Sequence, residues 1–396
     1  MDMKILQVIP YFPPAYAFGG PVKVAYQISR ELVKRGHEVM VYTTDAKDFG
    51  SRLEMNSYTT LDGIEIRRFR NLSLTSIKKL KLFITPHLVS CAKKEVKDFD
   101  AIHLHEYRTF QNIVIAHYAK EYDVPYVLQT HGSLPRIMSW ERLKWIYDMF
   151  FGYKLLREAS KVIALSQVES EQYKAMGVPE EKIAVIPNGI DLSEYAKLPP
   201  KGSFKKKFNI DYEKIVLYLG RIHRIKGIDI LVKAFADIVA KFDDVRLVVV
   251  GSDDGYLGEI EALIKALKIE DKVLITGPLY GEDKLEAYVD ADVYVLPSRY
   301  ETFPMGLLEA YAHGKPVIAS KVGGLRDLVV DGLMGMLVKP EDVEQLAESL
   351  RLMLDDLNRA RDMGLAGRRF VEENFPLERV VDKLEELYEE VIINKN

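Results

Sequence analysis

Two glutamates lie eight residues apart in Tyr300-Glu301-Thr-Phe303-Pro304-Met305-Gly306-Leu-Leu-Glu309, shortly after the apolar run Val293 to Leu296. Paired carboxylates can accept hydrogen bonds from the hydroxyls of a sugar or a ribose. On one continuous helix the two would point roughly 80 degrees apart at 3.6 residues per turn. Pro304 suits the first turn of a helix and Gly314 its carboxyl end. Glu301 then falls in the preceding loop and Glu309 inside the helix, where both can face one ligand at different depths. Two solvated glutamates would show the same spacing.

Three permanent cations, Arg221, Arg224 and Lys226, fall within six residues after the run Ile215 to Leu219. A departing diphosphate gathers negative charge, and positioned Arg and Lys can stabilise it without a metal. The plain alternative is a solvated basic loop; placement at a strand end favours a site. Gly19-Gly20-Pro21 opens a helix carrying Val24, Ile28 and Leu32 after the first strand. Glycine backbone can approach a ligand closely and a helix start suits a phosphate. The spacing of a dinucleotide fingerprint is absent, so a tight turn explains the pair equally. His131, in Gln129-Thr-His-Gly132, follows a strand and can donate to a sugar hydroxyl or a developing charge, or be satisfied locally.

Other tempting residues have plainer explanations. His103 and His105 alternate on one strand face before Glu106, yet no third metal ligand follows at a suitable spacing, so packing is expected. Ser166 and Glu169 have the spacing of a capping box. Asn188-Gly189 suits a tight turn. Trp140, Trp145, Phe150 and Phe151 lie on a helix whose apolar character predicts core. The competing reading has them meet lipid beside Lys78, Lys79 and Lys81.

The elements that must position these residues alternate. Short β-branched runs at 4-9, 38-43, 101-104, 125-130 and 161-165, then 215-219, 245-250, 272-276, 292-296 and 316-319, are each followed by a helical pattern. This predicts an α/β fold with two parallel, doubly wound sheets. Lys197-Leu-Pro-Pro-Lys-Gly202 interrupts both periodicities, so the domains are expected at 1–198 and 203–375. Leu377 to Ile393 forms an apolar-striped helix entered through Phe375-Pro376. At 396 residues two domains are the natural division. A net charge of −4, from 55 basic and 59 acidic residues, disfavours nucleic-acid binding. The single cysteine, Cys91, rules out an internal disulfide and fits a reducing, cytoplasmic setting. The opening Met-Asp-Met-Lys does not resemble a secretory leader, and no run approaches the roughly 18 apolar residues of a membrane span. Any membrane contact is expected to be peripheral, on the inner face.

In this order and spacing the motifs resemble glycosyltransferase family 4, the retaining GT-B enzymes, over nearly the whole chain. Gly19-Gly20, Thr130-His131-Gly132, Ile186-Pro-Asn-Gly-Ile-Asp191, Gly220-Arg221, Lys226-Gly227, Leu296-Pro-Ser298, Glu301 with Glu309, and Gly323-Gly324 carry the likeness. It implies two Rossmann-like domains facing a central cleft, with the last helix, 377–396, returning to the first domain. It also implies that Arg221 and Lys226 hold a diphosphate, helped by backbone near Gly20, Met305 and Gly306. Glu309 would bind the ribose, Glu301 the donor sugar, with Phe303 lining the pocket and Leu279 near the base. His131 would stand by the donor sugar, making His131, Glu301, Arg221 and Lys226 the expected catalytic set. The nucleotide-sugar is a co-substrate; neither a cofactor nor a divalent metal is implied. The acceptor would be a sugar or lipid-linked hydroxyl. Asp327 departs from the family's usual glutamate, and the Lys-Thr-Gly-Gly loop of starch and glycogen synthases is replaced here by Ala17-Phe18-Gly19-Gly20. Two rival readings use the same residues: a nucleotide-sugar 2-epimerase, and a catalytically silent sugar-nucleotide-binding subunit.

Overall fold

The computed structural model describes residues 2–54, 56–73, 77, 82–137 and 140–395. The chain folds as two compact units, Met1–Gly189 with Leu377–Asn396, and Ile190–Pro376. Lys78, Lys79 and Lys81 lie outside the described residues. No helix among the described residues is long and apolar enough to cross a membrane.

The first unit is built on β1 (Lys4–Val8), β2 (Glu38–Thr44), β3 (Tyr58–Leu61), β4 (Ile64–Phe69), β5 (Ala101–His105), β6 (Tyr126–Gln129), β7 (Lys161–Ala164) and β8 (Ile183–Val185). Their order across the sheet is β3-β4-β2-β1-β5-β6-β7-β8. Every residue of β5 and β6 is buried, the condition of parallel strands covered on both faces. The exception to parallel pairing is β3, which runs antiparallel to β4. Asp62 and Gly63 both take positive φ between them, the tight hairpin turn that Asp-Gly favours. Thr, Glu and Arg dilute the apolar pattern of this hairpin, so the alternation of apolar runs passes over it.

The second unit carries β9 (Lys214–Leu219), β10 (Val245–Val250), β11 (Val273–Gly277), β12 (Val293–Leu296), β13 (Val317–Ser320) and β14 (Gly335–Val338). They run in the order β11-β10-β9-β12-β13-β14, parallel throughout. Residues 190–198 fold with this unit: Ile190 N donates to Phe375 O (2.9 Å) and Tyr195 meets His313 edge-on at 5.1 Å. Pro199 and Pro200 therefore lie inside the unit, before the helix Ser203–Lys207.

The final helix, Leu377–Ile393, lies in the first unit. Val380, Val381, Leu384, Leu387, Tyr388 and Val391 form its buried stripe. Its acidic side holds Arg35 through Asp382 (2.6 Å) and Glu385, and Lys161 through Glu390 (2.7 Å).

One expectation about the core is overturned. Trp140, Trp145, Phe150 and Phe151 are exposed by 45 to 66%, not buried. The segment Glu141–Glu158 turns other residues inward: Asp148, Gly152, Leu155 and Leu156 are buried. Apolar residues run around most of this helix, so composition could not distinguish the inward side.

Candidate active site

In the second unit the strand order reverses at β9, whose neighbours are β10 and β12. Loops leaving adjacent strands diverge at such a switch point and leave a crevice at their carboxyl ends. The loop after β9 carries Arg221 and Lys226; the loop after β12 carries Glu301. They meet: Lys226 Nζ lies 2.5 Å from Glu301 Oε1, and Ser298 Oγ donates to the same oxygen at 2.8 Å. Both partners are largely buried, at 17 and 8% side-chain exposure, so their attraction is little screened. Arg221 Nη1 reaches Asp254 Oδ2 (2.7 Å) in the loop after β10. Arg224 is exposed and takes no part in this pair.

Two glycines make the loop geometry possible. Gly227 holds φ +68°, and a Cβ there would lie 2.0 Å from Pro297 O. Gly323 holds φ +47°, and its Cβ would fall 1.8 Å from Glu301 O, which accepts from Gly324 N at 3.2 Å. Side chains at either position would push apart the backbones that bring Lys226 and Glu301 together.

The helix Met305–Ala312 begins directly after Pro304, with no side chain capping its start. Its first amides, at Met305 and Gly306, therefore suit an anion. Glu309 is buried one turn further on, where Lys284 Nζ (2.6 Å) and Tyr288 OH (3.2 Å) bind its carboxylate. Lys284 was not among the residues that spacing or resemblance singled out; it lies on Gly281–Asp290, a helix with acidic residues in its first turn. Phe303 packs edge-on against Phe375 (5.5 Å), and Leu279 is half-buried just before Gly281. Asp327 is exposed on Leu325–Leu328.

Beneath these loops lie three fully buried tyrosines. Tyr218 OH donates to Arg221 O (2.8 Å), Tyr294 OH to Leu219 O (3.1 Å) and Tyr288 OH to Gly306 O (3.1 Å). Each hydroxyl ties down backbone that carries or adjoins a candidate site residue. Tyrosines at core positions of β9 and β12 are the sequence signal for this layer, since a buried phenol needs a partner.

In the first unit the order reverses at β1, between β2 and β5. Gly19 (φ +91°) precedes the helix Gly20–Lys34, whose start also lacks a side-chain cap. His131 follows β6 with φ +49° and joins a stack of imidazoles. His103 and His105 lie 4.0 Å apart between ring centroids, and His105 and His131 5.1 Å. His105 Nε2 faces Gln7 Oε1 (2.7 Å) and its Nδ1 faces His131 Nε2 (2.8 Å), while His103 Nδ1 meets Tyr388 OH (2.7 Å). With His105 donating to Gln7, its Nδ1 must accept the proton on His131 Nε2. In that tautomer His131 Nδ1 can accept from a hydroxyl; in the opposite one, with His105 Nδ1 donating to His131 Nε2, it is the donor first considered. Burial pushes the pKa of His103 and of His131 down to about 3 and that of His105 well below its ordinary value, so the stack is neutral at pH 7. The two histidines of β5 thus do more than pack.

Glu169 also departs from its expected role. Ser166 does cap its helix by accepting from Glu169 N. The Glu169 carboxylate, however, is buried and accepts from Thr130 Oγ1 (2.8 Å), Gly132 N (2.8 Å) and Leu165 N (2.7 Å). It holds the loop on both sides of His131.

Comparison with known proteins agrees with this architecture. The family "Glycosyltransferase Family 4" matches residues 18–194 and "Glycosyl transferases group 1" matches residues 201–370. An uncharacterized glycosyltransferase of Methanocaldococcus jannaschii is 30% identical over 89% of this chain and 90% of its own. A D-inositol 3-phosphate glycosyltransferase of Geodermatophilus obscurus is 29% identical over 95 and 86%. Among solved structures, sucrose-phosphate synthase from Thermosynechococcus elongatus superposes with TM-score 0.78 at 24% identity, covering 99% of this chain and 100% of that one. HepE of Anabaena, in complex with UDP and glucose, gives 0.78 at 21%, covering 98 and 100%. These likenesses show the GT-B fold, with two Rossmann-like domains. The chain belongs to the group 1 glycosyltransferases of glycosyltransferase family 4.

Proposed function

We propose that this glycosyltransferase is a retaining, metal-independent enzyme that moves a sugar from a UDP-sugar to a hydroxyl acceptor in glycolipid, lipid-linked glycan or polysaccharide assembly. The observation that carries the reading is the Lys226–Glu301 pair at the switch point of the second sheet. Arg221, Lys226 and the uncapped start of Met305–Ala312 offer the positive charge that a diphosphate needs. Glu309, held by Lys284 and Tyr288, offers acceptors to ribose hydroxyls. The nucleotide is named from the HepE complexes with UDP, UDP and glucose, and UDP-glucose.

In the reaction, the C1–O bond to the diphosphate breaks and its electron pair stays on the phosphate oxygen. The acceptor hydroxyl bonds to C1 from the same face and passes its proton to that oxygen, so configuration is kept. Arg221 and Lys226 stabilise the charge on the leaving group. Glu301 orients Lys226 and a sugar hydroxyl, and His131 is the first unit's candidate for a hydroxyl contact. No side chain is assigned as a covalent nucleophile, and no resident cofactor enters the scheme. The single, buried Cys91 suits a cytoplasmic enzyme.

Thermal stabilisation of the purified protein by UDP, GDP, ADP and their sugars, in EDTA, tests the donor assignment. A shift with UDP compounds alone supports it, since a ligand of the native state stabilises by mass action. A shift that requires a divalent ion rejects the metal-free scheme. Donor consumed without nucleotide release would identify an epimerase. Binding without transfer or hydrolysis would identify a silent subunit.

A further inference from the structure

The helical segment Glu141–Glu158 of the first unit is fixed on one side and apolar on the other. Its inner side is clamped by Asp148, fully buried, which binds Arg108 (2.7 and 2.9 Å) and Arg136 (2.7 Å). Gly152 packs on Tyr107, where a Cβ would lie 2.3 Å from the hydroxyl, and Leu155 O accepts from Tyr126 OH (2.7 Å). A buried carboxylate with two guanidinium partners is a firm anchor, so the outward side is held in place. There Leu143, Ile146, Phe150 and Tyr153 follow one another at three- and four-residue steps, 40 to 66% exposed. Trp140 and Trp145 flank them, 56 and 48% exposed.

Charge selects the occupant. Arg142, Lys154 and Arg157 are exposed along the same segment, with Glu141 as the acidic counterpart. A second copy docked through this face would place three exposed cations and one acid against the same excess of positive charge, which lacks complementarity. An anionic lipid surface instead gives the cations phosphate partners, the aliphatic and phenyl groups an acyl boundary, and the two indoles the interfacial depth they prefer. We propose that Glu141–Glu158 docks this glycosyltransferase onto an anionic lipid bilayer, lying in the interface without crossing it. The assignment does not depend on the donor, because nucleotide binding is read separately.

Trp140 and Trp145 are the only tryptophans of the chain, so intrinsic emission reports on this face directly. The full-length protein is titrated with phosphatidylcholine vesicles with and without phosphatidylglycerol, and with brominated acyl chains. The expected result is a blue shift and bromine quenching with anionic vesicles, weakened by salt. Phe150→Ser and Ile146→Ser, both at exposed positions, should each lower partitioning about tenfold while leaving the UDP-induced thermal shift unchanged. Emission unmoved by any vesicle overturns the proposal. So does a blue shift that depends on protein concentration alone, tracking a dimer in sedimentation. A salt-insensitive response equal on both vesicle types overturns the anionic part.

Discussion

Glu169, on the helix after β7, accepts a hydrogen bond from Gly132 N at 2.8 Å, so a carboxylate far along the chain fixes the loop that carries His131. Because the same side chain also binds Thr130 Oγ1 and Leu165 N, it joins the carboxyl ends of β6 and β7. His131 sits at φ +49°, a conformation that costs a non-glycine residue energy and persists where surrounding bonds impose it. Glu169 supplies such bonds.

Glu169→Ala should therefore lose about 2 to 4 kcal/mol of stability, since two buried amides and a hydroxyl lose their acceptor. Glu169→Gln keeps one acceptor oxygen and should fall between. Urea unfolding followed by tyrosine absorbance or far-UV dichroism measures both. Turnover should drop at temperatures where the variants remain folded, with UDP affinity unchanged. A variant with wild-type stability and turnover would show that the loop holds itself.

In the tautomer with His105 donating to Gln7, His105 fixes the ring of His131 by accepting its Nε2 proton. His105→Phe retains bulk but removes the acceptor, and should lower kcat about tenfold or more while sparing KM for the donor. His105→Asn offers an amide oxygen and should recover part of the loss. The discriminating readout is the pH profile: with its acceptor gone the protonated His131 ring is less favoured, so activity should begin to fall at lower pH than in the wild type, whereas a move to higher pH would show that His105 donates to His131 instead. Identical profiles for both variants would reduce His105 to packing.

Much of the fold is legible because parallel strands covered on both faces need largely apolar runs, and β9, β10 and β12 have them. The polar hairpin β3-β4 lacks that signature and is marked instead by Asp62-Gly63. At the candidate site, Lys226 and Glu301 could be named from their loops, but not their pairing, which depends on strand order. Lys284 and Glu169 illustrate the harder case. Each lies on a helix where a charged residue is ordinary, and its importance comes from a partner 25 or 37 residues away. Trp140 and Trp145 fail in the opposite direction, because apolar identity does not reveal which side of a helix is covered.

The buried imidazoles make stability depend on pH. Burial is the first cause of the depressed pKa values of His103 and His131, each about 3, and of His313, about 4. In the unfolded chain these groups titrate near 6.5. Below that pH the unfolded chain binds protons that the native protein refuses, so stability is fully present above about 6.5 and is lost as pH falls toward about 3 to 4. Each such group contributes about 1.4 kcal/mol per pH unit in that window. His103→Gln should flatten the slope between pH 6 and 4 by about that amount, measured by denaturant midpoints across the range. An unchanged slope would show that His103 takes up its proton in the native state.

Lys226 and Glu301 should prove inseparable in stability and separable in function. Lys226→Met leaves Glu301 buried with Ser298 Oγ as its remaining side-chain partner in this cluster, and an uncompensated buried carboxylate typically costs about 3 kcal/mol. Adding Glu301→Gln removes that charge, so the double variant should be more stable than Lys226→Met alone by about 1 to 2 kcal/mol. Function follows a different order, because Lys226 is assigned to the diphosphate and Glu301 to the sugar. Lys226→Met should weaken binding of UDP itself, while Glu301→Gln should leave UDP binding near wild type and lower turnover of the UDP-sugar about a hundredfold. Calorimetric titration of UDP and initial-rate measurements, set beside the unfolding midpoints, resolve the two effects. Equal UDP affinity in wild type and Lys226→Met would mean that the ion pair is structural and that the diphosphate is bound elsewhere.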